Sequence, residues 1–221
     1  MVDIDAIVFD VLGTLVDEPA GLRAGIRALT SDEQEVERLL AVWQEHVDRE
    51  QARIVAGERP FAPSDVIDRE AARMVAGSDG DVTDTLALAG RRLSPWPDTI
   101  AGLARLAERF PLIGLSNASR TALLGLNAHA GLRWHQALSA EDARTYKPDP
   151  AVYQLAVTVA GTSPERLLMV AAHAWDLRGA QAVGLRTAYV ARPVGDPPTA
   201  GDRFDLYADG LADLADQLTS R

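Results

Sequence analysis

The stretch Ala6-Ile7-Val8-Phe9-Asp10-Val11-Leu12-Gly13 places a carboxylate directly after a short apolar run. Uninterrupted apolar residues, some of them β-branched, are typical of a strand buried on both faces of a parallel sheet. Gly13 permits a tight turn soon after Asp10. We therefore predict a buried strand over residues 6–9 whose carboxyl end delivers the Asp10 carboxylate into a loop.

Further apolar runs and helical patterns alternate later in the chain. The runs cover residues 112–115, 167–170 and 187–190, and Leu206-Tyr207 suggests a short edge strand. Helical patterns cover 99–109, 119–130, 150–160, 176–183 and 210–219. Strands that alternate with helices of this length indicate parallel βαβ units. The predicted fold class is α/β, with a Rossmann-like core in which helices flank a parallel sheet.

Residues 17–94 show helical periodicity and no candidate strand. The helical patterns cover 22–29, 32–53, 63–75 and 82–92, with breaks at Glu18-Pro19, 57–60 and 77–80. We predict an all-helical cap domain over residues 17–94, inserted after the first strand. Residues 1–16 and 95–221 are predicted to form one discontinuous core domain.

The composition restricts the function before any motif is considered. The 221 residues carry 32 acidic and 22 basic side chains, a net charge of −10, which disfavours nucleic acids and anionic membranes as partners. No apolar run approaches the roughly 20 residues that span a bilayer, and the acidic first residues do not resemble a signal peptide. Without cysteine, disulfides and thiolate chemistry are excluded. A cytoplasmic protein is expected.

Four chemically capable residues follow predicted strands or lie in the loops after them: Asp10, Ser116, Lys147 and Asp176. Ligands of parallel sheets bind beyond the carboxyl ends of the strands, so these side chains are expected to converge in one crevice. Lys147 beside Asp10 would keep the carboxylate ionised and available as a nucleophile. Taken singly, each residue is better explained as a solvated loop residue; their common position favours a site.

Four ordered segments give the chain a resemblance to the haloacid dehalogenase (HAD) superfamily. Residues 9–17 resemble its nucleophile loop, and 115–119, 146–153 and 171–180 resemble its second, third and fourth motifs. The helices inserted after the first motif are similar to the mobile α-helical cap of that superfamily. The resemblance extends over the whole chain.

Two positions distinguish between the reactions of this superfamily. HAD phosphatases carry an acid two residues after the nucleophile, where this chain has Leu12, which cannot transfer a proton. Their fourth motif holds acidic magnesium ligands, the first of which falls on Ala171, whose methyl group offers no oxygen. Both absences resemble the L-2-haloacid dehalogenase (type II) branch, which needs no metal or other cofactor. Mg²⁺ would be required only by a phosphatase.

That resemblance implies a reaction. Asp10 would attack C2 of a 2-halocarboxylate and expel halide, and water would hydrolyse the resulting ester, with inversion at C2 overall. Lys147 would balance the charge of Asp10, and Thr14 would hydrogen-bond to it. Asp176 would activate or orient the water, and Ser116 with nearby backbone amides would hold the substrate carboxylate. The implied substrate-binding residues are Leu12, Asn117 facing the halide, Gln44, Tyr153, His173 and Trp175, with a packing role equally open for Tyr153.

The chain departs from that branch at positions that matter for specificity. The branch places an arginine that binds the halide after a tryptophan of the first long cap helix, but here the pair is Trp43-Gln44. An amide brings no positive charge, and Arg49 or Arg53 on the same helix is the alternative source. His173 stands where the branch has asparagine, and an imidazole there would make the activity sensitive to pH.

Two alternatives to a dehalogenase stay open. One is a HAD-type phosphatase with atypical motifs, which strict dependence on Mg²⁺ would support. The other is a HAD-fold protein that binds a small molecule after losing catalysis, which the missing halide arginine favours. The predicted partners are a small-molecule carboxylate and water, and the resemblance leaves a homodimer open.

Overall fold

The computed structural model describes residues 3–77 and 80–219, which form an α/β fold around one parallel sheet. The predicted α/β fold class is confirmed. The outermost residues of the predicted core and the middle of the predicted break at 77–80 lie outside the described residues. The strands are β1 (Ala6–Phe9), β2 (Leu112–Ser116), β3 (Gln136–Ser139), β4 (Leu167–Ala171), β5 (Arg186–Val190) and β6 (Leu206–Ala208), in the order β3-β2-β1-β4-β5-β6.

The register of the sheet brings the ends of its central strands together. Phe9 of β1 is paired with Gly114 of β2 on one side and with Val170 of β4 on the other, both in parallel. The residues that follow β1, β2 and β4 therefore emerge at the same edge of the sheet. Asp10 directly follows β1, so its carboxylate lies at this edge.

The sequence did not predict strand β3, because Gln136–Ser139 is not an apolar run. Its first two residues, Gln136 and Ala137, are exposed, and it lies at one edge of the sheet beside β2. An edge strand with exposed residues needs no continuous apolar run, so its sequence resembles a loop.

The helices flank the sheet, and four of them are inserted after β1, as predicted. Helix α1 begins at Glu18 rather than at residue 22, because Pro19 lies in its first turn, where its missing N–H is harmless. The predicted break at Glu18-Pro19 is therefore wrong. The inserted helices are α1 (Glu18–Ile26), α2 (Glu33–Val55), α3 (Ser64–Ala76) and α4 (Gly80–Ala87), followed by a 3₁₀ turn at Ala89–Arg91; we call this segment the helical insertion. The later helices are α5 (Thr99–Ala107), α6 (Arg120–Ala130), α7 (Pro150–Ala160), α8 (Ala174–Ala182) and α9 (Leu211–Thr219).

Apolar side chains form three buried clusters. One covers the face of the sheet that contains Phe9, and another covers the opposite face, which contains Val8. The third lies within the helical insertion, where Trp43 of α2 packs with Leu22 and Ala72. No helix in the described ranges has the length and apolar character needed to cross a membrane.

Hydrogen bonds tie the helical insertion to the loops at the carboxyl edge of the sheet. The Ser119 hydroxyl donates to Asp65 at 2.7 Å, and the Ser119 N–H donates to the Ser64 hydroxyl at 2.8 Å. The Tyr146 hydroxyl donates to the Ala62 carbonyl at 2.6 Å. The insertion therefore covers the edge at which Asp10 emerges.

Candidate active site

The Asp10 carboxylate is held from both of its oxygens. Thr14 Oγ1 donates to Oδ2 at 2.6 Å, and Lys147 Nζ donates to Oδ1 at 2.9 Å. Thr14 itself accepts a hydrogen bond from the Ala172 N–H at 2.9 Å, which ties the nucleophile loop to the end of β4. The carboxylate is 7% exposed, so it is fixed before any ligand arrives.

Lys147 bridges two carboxylates. Its buried ammonium lies 2.9 Å from Asp10 and 2.8 Å from Asp176 Oδ2. Burial would raise the pKa of Asp10, but Lys147 and the hydrogen bonds from His173 and Thr14 hold it well below its usual range. Burial raises the pKa of Asp176, and Lys147 offsets this only in part. The surroundings of Asp10 therefore favour its ionised form.

Tyr153 donates a hydrogen bond to Asp176. It is completely buried on α7, and its hydroxyl lies 2.7 Å from Asp176 Oδ1 and 3.1 Å from the Asp176 carbonyl oxygen. Burial and the neighbouring carboxylates raise the pKa of Tyr153 far above its usual value, so the phenol stays a donor. Tyr153 does not line the cavity, which favours the packing role that the sequence left open; its substrate contact stays a prediction.

Ser116 also lies behind the site rather than in it. The residue is completely buried at the end of β2, and its hydroxyl accepts from the Ala118 N–H at 3.1 Å. Such a local bond fixes the turn after the strand. Ser116 does not line the cavity, and its contact with the substrate carboxylate stays a prediction.

Asn117, the next residue, connects the Lys147 loop to the helical insertion. Its Oδ1 accepts a hydrogen bond from the Lys147 N–H at 2.9 Å, and its Nδ2 donates one to Gln51 of α2 at 2.9 Å.

His173 lies beside the nucleophile. Its Nδ1 is 3.2 Å from Asp10 Oδ2, and its ring packs so close to Gly13 that a Cβ there would lie 2.6 Å from Cε1. Burial would lower the pKa of His173, but Asp10 raises it above the ordinary value of 6.5. Trp175 follows at the rim, 37% exposed, with its ring centroid 5.9 Å from that of His173.

Three residues that the sequence did not reveal hold the backbone of the nucleophile loop. The Trp96 indole donates to the Gly13 carbonyl at 3.0 Å, Arg192 Nε to the Thr14 carbonyl at 2.9 Å, and the Thr99 hydroxyl to the Leu15 carbonyl at 2.8 Å. Since their targets are main-chain oxygens, no spacing in the sequence marks the pairing.

A cavity of about 410 Å³ opens between this edge of the sheet and the helical insertion. A smaller recess of about 50 Å³ adjoins it, and the two share residues of the insertion and of the nucleophile loop. Among the predicted site residues, those that line the main cavity are Asp10, Leu12, Gln44, Asn117, Lys147, His173 and Trp175.

Neither alternative arginine reaches the cavity. Arg49 and Arg53 both approach Glu50, at 3.4 and 2.9 Å, away from the nucleophile. Among the described residues that line the cavity, Lys147 and His173 are the only basic ones. Positive charge at the leaving-group position is therefore not supplied by an arginine of α2.

Acidic residues of the helical insertion line the cavity instead, and sequence reasoning missed them. They are Glu18, Asp48 and Asp68. Burial, together with the charges of Asp10 and Asp48, raises the pKa of Glu18 to about 7, although His173 opposes the shift. Burial and the charge of Glu18 raise the pKa of Asp68 well above its usual value.

The residues around Asp10 do not match the donor set of a magnesium site. Within residues 3–77 and 80–219, no group of three or more His, Asp or Glu side chains is arranged to hold a metal ion. Leu12 and Ala171 offer no side-chain oxygen, and the Lys147 ammonium lies between the two carboxylates that remain.

Comparisons with known proteins identify the relatives of this chain. A family model described as haloacid dehalogenase-like hydrolase matches residues 4–184. An (S)-2-haloacid dehalogenase H-109 from Pseudomonas putida is 31% identical over 87% of this chain and 88% of its own length. A crystal structure of an L-2-haloacid dehalogenase superposes with a TM-score of 0.89 at 33% identity, covering 99% of this chain and 100% of the other. The Xanthobacter autotrophicus L-2-haloacid dehalogenase with chloropropionic acid covalently bound gives 0.85 at 27% identity, covering 97% and 98%.

Proposed function

This chain belongs to the haloacid dehalogenase-like hydrolases, and we propose that it converts a 2-halocarboxylate into a 2-hydroxycarboxylate and halide. The observation that carries the proposal is an ionised Asp10, fixed by Lys147 and Thr14, at the floor of a cavity. Leu12 and Ala171 supply neither the proton donor nor the metal ligand that a phosphatase needs, so we propose a metal-independent reaction.

The proposed reaction has two steps. An Asp10 oxygen forms a bond to C2 while the carbon–halogen bond breaks, and the halogen leaves with the electron pair as halide. Water then attacks the carboxyl carbon of the Asp10 ester. The 2-hydroxycarboxylate leaves, the water oxygen stays on Asp10, and one proton is released.

The contacts support a division of labour. Lys147 and Thr14 keep Asp10 ionised and oriented, and Tyr153 with Asp176 positions Lys147. Asp176 is the group predicted to orient the hydrolytic water, and the position of His173 in the cavity beside Asp10 supports a contact of its imidazole with that water as well. Gln44 and Asn117 offer amide N–H groups to the halide, while Leu12 and Trp175 form walls.

The helical insertion is proposed to act as a cap domain over residues 17–94, with the core at 1–16 and 95–221. Two features support these boundaries: Val16 forms an antiparallel bridge with Pro95, and the insertion has an apolar cluster of its own. A cytoplasmic location and a homodimer stay predictions.

The test is halide release from fluoro-, chloro- and bromo-substituted 2-carboxylates in the presence of EDTA. Wild type and the control Glu108→Gln, at an exposed position of the core, are expected to release halide equally, and Asp10→Asn to lose release. Turnover in H₂¹⁸O should label the peptide that contains Asp10. An active enzyme with no label in that peptide would contradict the ester step, and no release from any substrate would sink the proposed function.

A further inference from the structure

The small recess beside the main cavity contains two carboxylates without a partner. We call this space of about 50 Å³ the inner recess; Glu18 of α1 and Asp68 of α3 line both it and the main cavity. Across the described ranges, neither side chain forms a hydrogen bond or an ion pair with another residue. Arg91 lies near Asp68 but donates to Asp65 at 3.1 Å.

Other buried or half-buried acids of the helical insertion are paired, so the exceptions are informative. Arg59 donates to Glu50 at 2.7 Å and to Glu70 at 2.7 Å. Removing a carboxylate from water without a partner costs free energy, which a bound cation would offset. Glu18 and Asp68 are partly buried, so they bear part of that cost at the edge of the cavity.

The rest of the inner recess suits the alkyl stem and charged head of an amine. Its walls include Leu12, Leu22 and the indole-bearing Trp43, which give an apolar surface with an aromatic side chain. Carboxylates attract an ammonium group by charge and hydrogen bonding, and an indole face attracts it by a cation–π interaction. A water molecule takes up about 30 Å³ in the liquid, so the recess has the size for one small head group. The described residues contain no cluster arranged for a metal ion instead.

The charge of the main cavity points the same way. Its lining includes five acidic and two basic side chains, and both basic groups contact Asp10, so a simple haloacid anion meets few free positive groups. A cavity of about 410 Å³ also exceeds what a two- or three-carbon acid occupies. A longer substrate with a cationic end would fill both spaces and reduce the repulsion.

We propose that the substrate is a 2-halocarboxylate with a side-chain ammonium group, and that this group sits in the inner recess between Glu18 and Asp68. This inference rests on the proposed function. Glu18 and Asp68 are then specificity residues: they do not contact C2, but they select the far end of the substrate.

The test compares three chloro acids of matched length that differ in the end group: 2-chloro-6-aminohexanoate, 2-chloroheptanoate and 2-chloroheptanedioate. Wild type is expected to favour the amine over the methyl compound in kcat/KM by about tenfold or more, and to disfavour the dicarboxylate. Glu18→Gln and Asp68→Asn should each reduce the preference, and the double variant should remove it. Glu45→Gln, at an exposed position of α2, is the matched control and should keep it.

A wild type that turns over 2-chloroheptanoate as well as the amine would overturn the inference while leaving dehalogenation intact. If no chloro acid reacts, binding of the halogen-free 6-aminohexanoate and heptanoate, measured by calorimetry, separates the two proposals. Binding of the amine alone, lost in the double variant, would support the ammonium site although dehalogenation has failed. Equal or absent binding of both would reject the ammonium site.

Discussion

At the scale of single residues, His173 places a titratable imidazole beside the nucleophile. Its imidazole lies 3.2 Å from Asp10 Oδ2, and Asp10 raises its pKa above 6.5. The imidazolium therefore persists to higher pH than a free histidine would, and it loses its proton as the pH rises through the raised value. While protonated, it attracts the carboxylate of an approaching substrate.

We expect kcat/KM for a short halocarboxylate to fall in wild type as the pH rises through the raised pKa of His173, above 6.5, and to fall less in His173→Asn. The asparagine keeps a hydrogen-bonding group but does not titrate. His129→Asn, at an exposed position on α6, is the control and should retain the wild-type profile. Identical profiles for wild type and His173→Asn would show that another group controls the falling limb.

At the scale of elements, the close approach of α7 and α8 positions the proton donor behind Asp176. Gly179 of α8 leaves the room that the Tyr153 ring needs: a Cβ at this position would lie 2.4 Å from the Tyr153 hydroxyl and 3.0 Å from Pro148 Cβ. The glycine is needed for this contact rather than for a special backbone conformation. The packing of α7 against α8 therefore fixes the Tyr153 hydroxyl, which holds Asp176, and Asp176 in turn holds Lys147.

Gly179→Ala is expected to displace Tyr153, to lower the free energy of unfolding by about 1–3 kcal/mol, and to lower kcat with little change in KM. Tyr153→Phe should reproduce the loss in kcat with a smaller loss of stability, because the ring still fills its place. Gly80→Ala is a suitable control, since a Cβ there meets no heavy atom within 4 Å. Thermal unfolding and steady-state kinetics measure the two effects, and unchanged kcat in Gly179→Ala would refute the coupling.

At the scale of the whole molecule, three acids of the helical insertion line the cavity, where burial disfavours their ionised forms. Glu18 has its pKa raised from 4.5 to about 7 in the folded protein, first by burial and then by Asp10 and Asp48. The folded protein tolerates the protonated carboxyl at low pH. The free energy of unfolding therefore falls as the pH rises from 4.5 through about 7, where the folded protein also loses this proton. The folded state is therefore penalised in mildly alkaline solution.

Glu18→Gln is expected to raise the melting temperature above pH 7 and to leave it nearly unchanged at about pH 4, below the unfolded pKa of 4.5. A shift of this size corresponds to about 3 kcal/mol at most, and partial exposure of the side chain reduces it to about 1–2 kcal/mol, or several degrees. Scanning calorimetry at both pH values measures the difference. Glu45→Gln should show no such dependence, and an equal gain at both pH values would assign the effect to packing.

The sequence predicted the site correctly where a reactive side chain stands just after a buried strand. Asp10 and Asp176 follow the apolar runs of β1 and β4, and the parallel sheet brings such ends together whatever their separation in the chain. Lys147 follows β3, which has no apolar run, yet its ammonium lies between both carboxylates. Glu18 and Asp68 escaped notice because they lie on different helices, where acids are ordinary surface residues. Their meeting depends on how α1 and α3 pack, which helical periodicity does not specify.

Selection for heat resistance and selection for activity should favour different residues in the inner recess. A screen that rewards heat resistance alone would find uncharged replacements of Glu18 and Asp68 early, because each removes an unpaired carboxylate from half-buried surroundings. Those variants would be collected as improvements although they lack the groups that choose the substrate. A selection for growth on the amine-bearing compound would retain both acids, so evolved libraries should diverge at these two positions first.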